Sequence, residues 1–275
     1  MTGLDPAVRR ALDWPVDHVA ACVVAADGTV LAGAGDTGRE FALASVTKPL
    51  SAYAVLVAVE EGALDWNDPA GPDGATVRHL IAHTSGLAFD TDRVQAAPGE
   101  RRIYSNTGFA VLADAVAEAT GIDFADYLHQ AVCEPLGLTA TRLEGAAGAG
   151  AISTASDLSR FAAELQSPRL LDPRTVAEAT TVAFPGLDGV LPGYGRQKPN
   201  DWGLGFEIRD GKSPHWTGAD SSPRTFGHFG QSGTFLWVDP DAGLAAVVLT
   251  DRDFGQWAID AWPAWTDGVL AARAG

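Results

Sequence analysis

The chain has 275 residues, enough for one compact unit or two closely packed lobes with a large buried core. Hydrophobic residues make up 46% of the chain and charged residues 20%, an ordinary balance for a globular protein. The net charge of −16 opposes binding to phosphate backbones and to anionic lipid, so neither nucleic acid nor a membrane is an expected partner.

The N-terminal segment lacks the basic start, apolar run and small-residue cleavage site of an export signal. No apolar stretch is long enough to cross a bilayer, and we therefore expect a cytoplasmic location. Cys22 and Cys133 lie among apolar neighbours without the paired spacing of a metal site, so both are predicted to be buried free thiols. Neither a metal nor another cofactor is expected.

Local signals in the first part of the chain predict a short helix, a β-hairpin and a long buried helix. The Asp5-Pro6 pair is typical of a helix start, and Asp27-Gly28 is typical of a tight turn between two strands. The segment that follows is apolar nearly all round, which indicates a buried helix. The predicted bounds are 19–25 and 29–34 for the strands and 46–62 for the helix.

The middle of the chain is predicted to be mostly helical, because amphipathic segments alternate there with glycine-containing breaks. Thr154 or Ser156 is the expected cap of the last of these helices. The predicted helices cover residues 76–83, 106–121, 123–133 and 156–167.

After about residue 185 glycines and aromatic residues become frequent, and short strand-like runs precede a closing helix. The predicted strands are 202–209, 225–230, 234–239 and 244–250. The pattern predicts an α+β fold whose antiparallel sheet is built from both ends of the chain, with flanking helices. We expect a single domain over 1–275, with an α/β lobe at about 1–60 and 185–275 and a helical lobe at about 61–184.

Residues 45–48 read Ser-Val-Thr-Lys where a loop enters the helix predicted at 46–62, so Ser45 and Lys48 share one helix face. A serine hydroxyl becomes an effective nucleophile when a neighbouring base takes its proton, and a lysine can be that base if burial lowers its pKa. The alternative is a serine cap followed by a solvated lysine. Apolar neighbours argue against solvation, namely Phe41, Leu43, Leu50, Tyr53 and Leu56.

Tyr104-Ser105-Asn106 stands just before another predicted helix. A tyrosine can donate and accept a proton, and an asparagine side chain can hold a substrate carbonyl or amide. The alternative for this element is an ordinary helix start in which Ser105 or Asn106 is the cap.

His228-Phe229-Gly230 forms the third element, inside a glycine-rich strand. Gly227, Gly230 and Gly233 would allow the strand to run close to a bound ligand. The alternative is a glycine-rich edge or bulge with a histidine facing solvent.

In this order and at these separations, the three elements resemble the signature of the penicillin-recognising serine hydrolases, which include serine β-lactamases, DD-peptidases and esterases of the same fold. The Tyr-Ser-Asn form is similar to that of the branch containing class C β-lactamases and their esterase relatives. The His-Phe-Gly form resembles the His-x-Gly version of some DD-peptidases. Residues 83–87, 148–161 and 202–206 also resemble the family, and the resemblance covers about residues 15–270.

The resemblance implies a β-lactamase/transpeptidase-like fold and an acyl-enzyme mechanism. By the same resemblance, Ser45 would be the nucleophile and Lys48 the base for acylation. Tyr104 would share or relay the proton.

For substrate binding, the resemblance implies that Asn106 holds a substrate carbonyl and that His228 and Gly230 line the site. The backbone N–H groups of Ser45 and Gln231 would form the oxyanion hole. His83 would be structural and not part of a Ser-His-Asp triad.

This sequence departs from the family pattern in two respects that bear on the substrate. His228 replaces a lysine, which removes a permanent positive charge that would meet a substrate carboxylate. Arg224 is a candidate for restoring positive charge nearby. The chain also lacks an obvious Glu-x-x-Leu-Asn element, the one that positions the deacylating water in class A β-lactamases.

The expected partner is therefore a small-molecule ester, amide or β-lactam, and the expected activity is that of a carboxylesterase or amidase. One alternative is a β-lactamase or DD-peptidase, that is, a penicillin-binding protein. The other is a catalytically degenerate member that binds a ligand without turning it over.

Overall fold

The computed structural model describes residues 3–274 of the chain. The strands are β1 Val19–Ala25, β2 Val30–Gly35, β3 Glu40–Ala42, β4 Arg142–Leu143, β5 Ala151–Thr154, β6 Gly189–Leu191, β7 Gly195–Gln197, β8 Glu207–Ile208, β9 Phe226–Gly230, β10 Thr234–Asp239 and β11 Leu244–Thr250. The helices are α1 Leu4–Arg9, α2 Thr47–Glu60, α3 Val77–Ile81, α4 Asn106–Thr120, α5 Phe124–Leu128, α6 Glu134–Leu136, α7 Ala155–Gln166, α8 Pro173–Ala179 and α9 Gln256–Ala274.

A six-stranded antiparallel sheet in the order β2-β1-β11-β10-β9-β8 forms the centre of the described residues. Strand β1 pairs with β11 along its whole length, from Val19 opposite Thr250 to Ala25 opposite Leu244. The sheet is therefore built from both ends of the chain, and the predicted α+β class is confirmed.

The pleat of the sheet divides the core into two hydrophobic clusters, because successive side chains of a strand point to opposite faces. From β1, Cys22 and Val24 enter the cluster that contains α2 and α7, whereas Val23 enters the cluster that contains α1 and α9. Cys22 and Cys133 are both buried and free, as predicted.

Helix α2 is the centre of the first cluster, and its residues from Thr47 to Ala58 are all buried. The middle of the chain packs around it, mainly as helices, and its caps follow the sequence signals. Ser105 accepts a hydrogen bond from the Gly108 N–H at the start of α4. Thr154, one of the two predicted caps, accepts from the Asp157 N–H at the start of α7.

The predicted strand 202–209 is wrong over most of its length, since only β8 pairs as a strand there. The chain before β8 bends back, and Trp202 forms isolated bridges to both Ala183 and Glu207. At Gly205 φ is 87°, and a Cβ would lie 2.1 Å from the Ala52 Cβ of α2. This close approach to α2 requires glycine and prevents a regular strand.

Other bounds differ by small amounts from the predictions. A 3-10 turn over Ala44–Val46 precedes α2, and a π-helical turn over His129–Cys133 follows α5. The hairpin of β6 and β7 is not predicted from the sequence, because its segment is rich in glycine and proline. The division into lobes stays a prediction, and residues 1, 2 and 275 of the expected domain lie outside the described residues. Among residues 3–274, no helix combines the length and apolar character needed to cross a membrane.

Candidate active site

Ser45 lies in the 3-10 turn that joins β3 to α2. The preceding residue, Ala44, has a φ of 45°, in the left-handed region that residues with a Cβ rarely adopt. Such a conformation costs about 1–3 kcal/mol and persists where its surroundings fix it. The Leu43 carbonyl accepts from Thr234 Oγ1 at 2.9 Å, and the Leu43 N–H donates to the Ala151 carbonyl at 2.9 Å. Strands β10 and β5 therefore hold the turn that presents Ser45.

Lys48 is completely buried one helical turn beyond Ser45, so the alternative of a solvated lysine is wrong. Its Nζ lies 3.4 Å from Ser45 Oγ, 2.6 Å from Asn106 Oδ1 and 2.8 Å from the Gly148 carbonyl oxygen. None of these partners is a carboxylate. Burial therefore lowers the pKa of Lys48 well below its ordinary value, which favours the neutral amine that can accept a proton.

The loop that supplies the Gly148 carbonyl passes very close to the lysine. A Cβ at Gly148 would lie 3.2 Å from Asn106 Oδ1 and 3.4 Å from Lys48 Nζ. The same loop is attached to α2 through Ser51, whose hydroxyl donates to the Ala147 carbonyl at 2.6 Å. A side chain at position 148 would therefore crowd the groups that hold Lys48.

Tyr104 and Asn106 flank the Ser105 cap and reach the same centre. The Tyr104 hydroxyl donates to Ser45 Oγ at 2.7 Å, and Asn106 Oδ1 accepts from Lys48. Burial raises the pKa of Tyr104, although the hydrogen bond to Ser45 acts in the opposite direction. The phenol is thus protonated at neutral pH and acts as a hydrogen-bond donor.

His83 fixes the position of this Tyr-Ser-Asn segment. Its Nδ1 accepts from the Ser105 N–H at 3.2 Å, and its carbonyl accepts from the Ile103 N–H at 2.8 Å. Its ring packs on Tyr104, with centroids 4.7 Å apart. His83 makes no hydrogen bond to Ser45, and this geometry favours the structural role expected for it.

Strand β9 brings the third element against the turn that carries Ser45. A Cβ at Gly230 would lie 2.4 Å from the Leu43 carbonyl oxygen and 2.6 Å from Thr234 Oγ1, so only glycine fits there. The next residue, Gln231, is held by its carbonyl, which accepts from the Phe254 N–H at 2.7 Å. The structure thus places Gly230 and Gln231 beside the Ser45 turn.

His228 is buried, and its protonation state follows from one contact. Its Nδ1 lies 2.6 Å from the Phe229 carbonyl oxygen, and since a carbonyl only accepts, Nδ1 carries the hydrogen. Burial, with a contribution from Lys48, lowers the pKa of His228 to about 3. The ring is therefore neutral at physiological pH and supplies no positive charge.

A cavity of about 350 Å³ opens beside Ser45. Its walls are mainly apolar and aromatic, and they include Tyr104, Gln231 and His228, whereas Lys48, Asn106 and Gly230 lie outside its lining. The lining residues are Ser45, Phe89, Tyr104, Val190, Leu191, Pro192, Trp202, Glu207, His228, Phe229 and Gln231.

A buried polar network that the sequence does not predict lies at the wall of the cavity, around Glu207. Glu207 forms an ion pair with Lys212, and its second oxygen accepts from His215 Nε2 at 2.8 Å and from Trp216 Nε1 at 2.9 Å. His215 Nδ1 in turn accepts from the Thr217 N–H at 3.1 Å, which leaves the hydrogen on Nε2. These residues carry no common motif, so only the fold brings them together. Both oxygens of the Glu207 carboxylate therefore accept from protein donors.

Arg224 does not supply a positive charge to this site. It pairs with Asp241 on the surface at 3.0 Å and does not line the cavity. Among the residues that line the cavity, Glu207 is the one with an ordinarily charged side chain. The cavity therefore offers no free cation to a substrate carboxylate.

Because His228 is buried in its neutral form, the free energy of unfolding should decrease as the pH falls. The folded-state pKa of about 3 lies below the ordinary value of 6.5, so the unfolded chain takes up a proton first as the pH falls. Stability from this group is complete above pH 6.5 and is lost below it. Between pH 6.5 and 4.5 we expect wild type to lose about 2–3 kcal/mol more unfolding free energy than the His228→Asn variant.

Urea unfolding followed by circular dichroism at several pH values measures this difference. The His129→Asn variant is the control, since the His129 side chain is 52% exposed. Parallel pH dependences in wild type and His228→Asn would contradict the buried neutral state of His228.

Comparison with known proteins identifies the family. The β-lactamase family model matches residues 17–268, which is most of the chain. The chain belongs to the β-lactamase family. The family model extends over Ser45–Lys48, Tyr104–Asn106 and His228–Gly230, so it covers all three elements of the site.

Individual known proteins resemble the chain to different extents. The crystal structure of a β-lactamase from Mycobacterium bovis is 61% identical, with a TM-score of 0.96 over 97% of this chain and 99% of that one. Penicillin-binding protein 4* of Bacillus subtilis is 30% identical over 140 residues, 39% of this chain and 31% of that protein. This chain therefore matches less than a third of that relative's length.

A third likeness concerns the fold alone. EstCE1, described as a hydrolase with promiscuous acyltransferase activity, has a TM-score of 0.76 at 18% identity, with 99% of this chain and 98% of that one covered. The β-lactamase-like fold predicted from the sequence is confirmed by these structures.

Proposed function

We propose that this β-lactamase-family protein is a serine hydrolase that cleaves small esters or amides through an acyl-enzyme on Ser45. The supporting observation is the position of Ser45 Oγ, 2.7 Å from the Tyr104 hydroxyl and 3.4 Å from Lys48 Nζ. Lys48 is buried without a carboxylate partner, which is the condition under which a lysine can act as a base near neutral pH.

In the proposed acylation step, Ser45 Oγ attacks the substrate carbonyl carbon while its proton passes to neutral Lys48. The negative charge that develops on the carbonyl oxygen is stabilised by the backbone N–H groups of Ser45 and Gln231. The C–O or C–N bond then breaks, and Tyr104 gives its proton to the leaving group and regains one from Lys48. The products are the free alcohol or amine and the acyl-Ser45 ester.

Deacylation repeats the sequence with water as the nucleophile. The water gives a proton to Lys48, directly or through Tyr104, and its oxygen attacks the acyl carbonyl. Lys48 returns the proton to Ser45 Oγ as the ester bond breaks, so Ser45 leaves as the hydroxyl and the released product is a carboxylic acid. Asn106 keeps the Lys48 amine in position through its 2.6 Å contact, in addition to the expected contact with substrate.

The cavity supports a substrate that is neutral next to the scissile bond. Its lining is mainly apolar, His228 carries no charge, and Glu207 is already paired. A carboxylate placed there would lose its hydration without gaining a cation, which costs free energy. Uncharged esters and amides avoid this cost.

A panel of p-nitrophenyl esters with graded acyl length tests the proposal, together with an ester that carries a carboxylate on the carbon next to the scissile group. We expect hydrolysis of the neutral esters, with kcat/KM at least about tenfold above that of the charged ester. A neutral fluorophosphonate should label Ser45. A folded protein without labelling or turnover would instead support the ligand-binding alternative.

A β-lactam substrate is the second candidate, because the Mycobacterium bovis and Bacillus subtilis proteins bear the names β-lactamase and penicillin-binding protein. A chromogenic cephalosporin included in the same panel tests this candidate. Rapid turnover would identify a β-lactamase, and stoichiometric labelling without turnover would identify a penicillin-binding protein.

A further inference from the structure

A second opening lies beside the active-site cavity, and the two share a wall. This groove has a volume of about 410 Å³. Phe89, Tyr104, Val190 and Pro192 line both the groove and the cavity. Since the Tyr104 hydroxyl contacts Ser45 Oγ, the groove begins at a residue that touches the proposed nucleophile. A substrate too long for the cavity would cross this wall into the groove.

The shared wall is apolar and open to solvent. Phe89 is 48% exposed and Val190 is 59% exposed, and both side chains line the cavity and the groove. The Phe89 ring stacks on Tyr104 with an interplanar angle of 21° and centroids 5.8 Å apart. An alkyl or aryl segment of a substrate would cover these side chains and gain free energy by removing them from water.

Beyond the wall, the groove is positively charged although the whole protein carries a charge of −16. Three arginines line it, Arg101, Arg102 and Arg196, against one acid, Asp188. Arg196 pairs with Asp188 at 3.0 Å, whereas Arg101 forms no ion pair with any residue between 3 and 274.

Arg102 adds to this field, although the carboxylate of Asp201 offsets part of its charge. It is buried, and its guanidinium donates to backbone carbonyls. The accepting residues are Ala82, Ala183, Phe184 and Asn200. The hydrogen-bond acceptors are neutral, so the part of the Arg102 charge that Asp201 does not offset adds to that of exposed Arg101.

We propose that this groove binds the distal end of the substrate and that Arg101 and Arg196 recognise an anionic group there, a carboxylate or a phosphate. The inference rests on the proposed function of Ser45. The substrate would then be neutral at the reacting carbonyl, apolar in its middle part and anionic at its far end. The anion would stay in the solvated groove, away from the uncharged cavity.

Matched fluorophosphonate probes test the proposal without requiring a known substrate. One series carries a neutral methyl ester at the end of alkyl chains of graded length, and two others carry a terminal carboxylate or a terminal phosphate. We expect one chain length at which an anionic probe labels Ser45 faster than its neutral counterpart. The Arg101→Gln/Arg196→Gln variant should slow that probe about tenfold and change the neutral probe by less than about twofold.

Arg93→Gln is the matched control, because Arg93 is exposed in the same loop but does not line the groove. This control should leave both rates unchanged. Addition of 0.5 M NaCl should reduce the anionic advantage in wild type and in Arg93→Gln, whereas the double variant has little advantage left to lose. Equal labelling by neutral and anionic probes at every length, or equal effects of the double variant on both, would overturn the inference alone. No labelling of wild type by any probe would overturn the proposed function and this inference with it.

Discussion

Replacing Ser45 with alanine should lower kcat/KM for the best ester at least about ten-thousandfold and abolish fluorophosphonate labelling. The reason is that Oγ is the atom that forms the covalent bond to the acyl group. The neighbouring Lys48 and Tyr104 cannot replace it, because the first is held by Asn106 and Gly148 and the second is a phenol whose pKa is raised by desolvation.

The matched control is Ser167→Ala, since Ser167 is exposed at the end of α7, far from this chemistry in the fold. It should retain wild-type turnover and labelling. Mass spectrometry of the labelled protein should locate the modification on the peptide that contains Ser45. A label on another residue, or turnover that survives in Ser45→Ala, would show that the nucleophile has been assigned wrongly.

Lys48→Arg and Lys48→Met should each slow acylation at least about a hundredfold, the size expected for loss of a general base. Arginine keeps hydrogen-bond donors for Asn106 and the Gly148 carbonyl but remains protonated, and methionine keeps much of the volume without donors. Comparing the two variants separates proton transfer from positioning. Stopped-flow acylation with a p-nitrophenyl ester measures the step, after circular dichroism has verified folding.

The pH dependence of kcat/KM follows from the protonation of Lys48. Burial lowers the pKa of Lys48, so on the acid side of that pKa the amine is charged and cannot accept the Ser45 proton. Wild-type kcat/KM should therefore fall about tenfold per pH unit below this pKa and level off above it. The Lys48→Met variant should lack this acid limb. Near-native acylation by Lys48→Arg would assign the base to another group, for which Tyr104 is the candidate at 2.7 Å from Ser45 Oγ.

The sequence predicts most accurately where one local signal is sufficient. Strand β1 has the predicted bounds because an unbroken apolar run precedes the Asp27-Gly28 turn. The strands β10 and β11 also have their predicted bounds, because the turn residues between them are unambiguous. In the same way, Ser105 and Thr154 are caps because their side chains reach the backbone three residues ahead.

Predictions fail where distant contacts determine the local conformation. The segment that contains Trp202 and Gly205 has the composition of a strand. The close approach of Gly205 to Ala52 nevertheless bends the chain there. No short motif predicts that Glu207 contacts His215 and Lys212. The loop after β8 folds back and brings these two residues to Glu207.

In the candidate site, too, local spacing is predictable from the sequence and distant contacts are not. The spacing within each short motif predicts which side chains share a helix face, such as Ser45 with Lys48. The spacing does not predict that the Gly148 carbonyl oxygen accepts from Lys48 at 2.8 Å. It also does not predict that His228 Nδ1 donates to the Phe229 carbonyl. These contacts determine charge and protonation, and so they define the chemistry of the cavity.

The pairing of β1 with β11 also constrains how the molecule can be made. A growing chain on the ribosome presents β1 and β2 as a hairpin with one open apolar edge, and that edge stays unpaired until residues 244–250 have been synthesised. Strand β9, which packs against the Ser45 turn, is equally late. Ser45 and Lys48 are therefore translated early but acquire their final surroundings only when nearly the whole chain exists, so nascent fragments should be both inactive and in need of protection from aggregation.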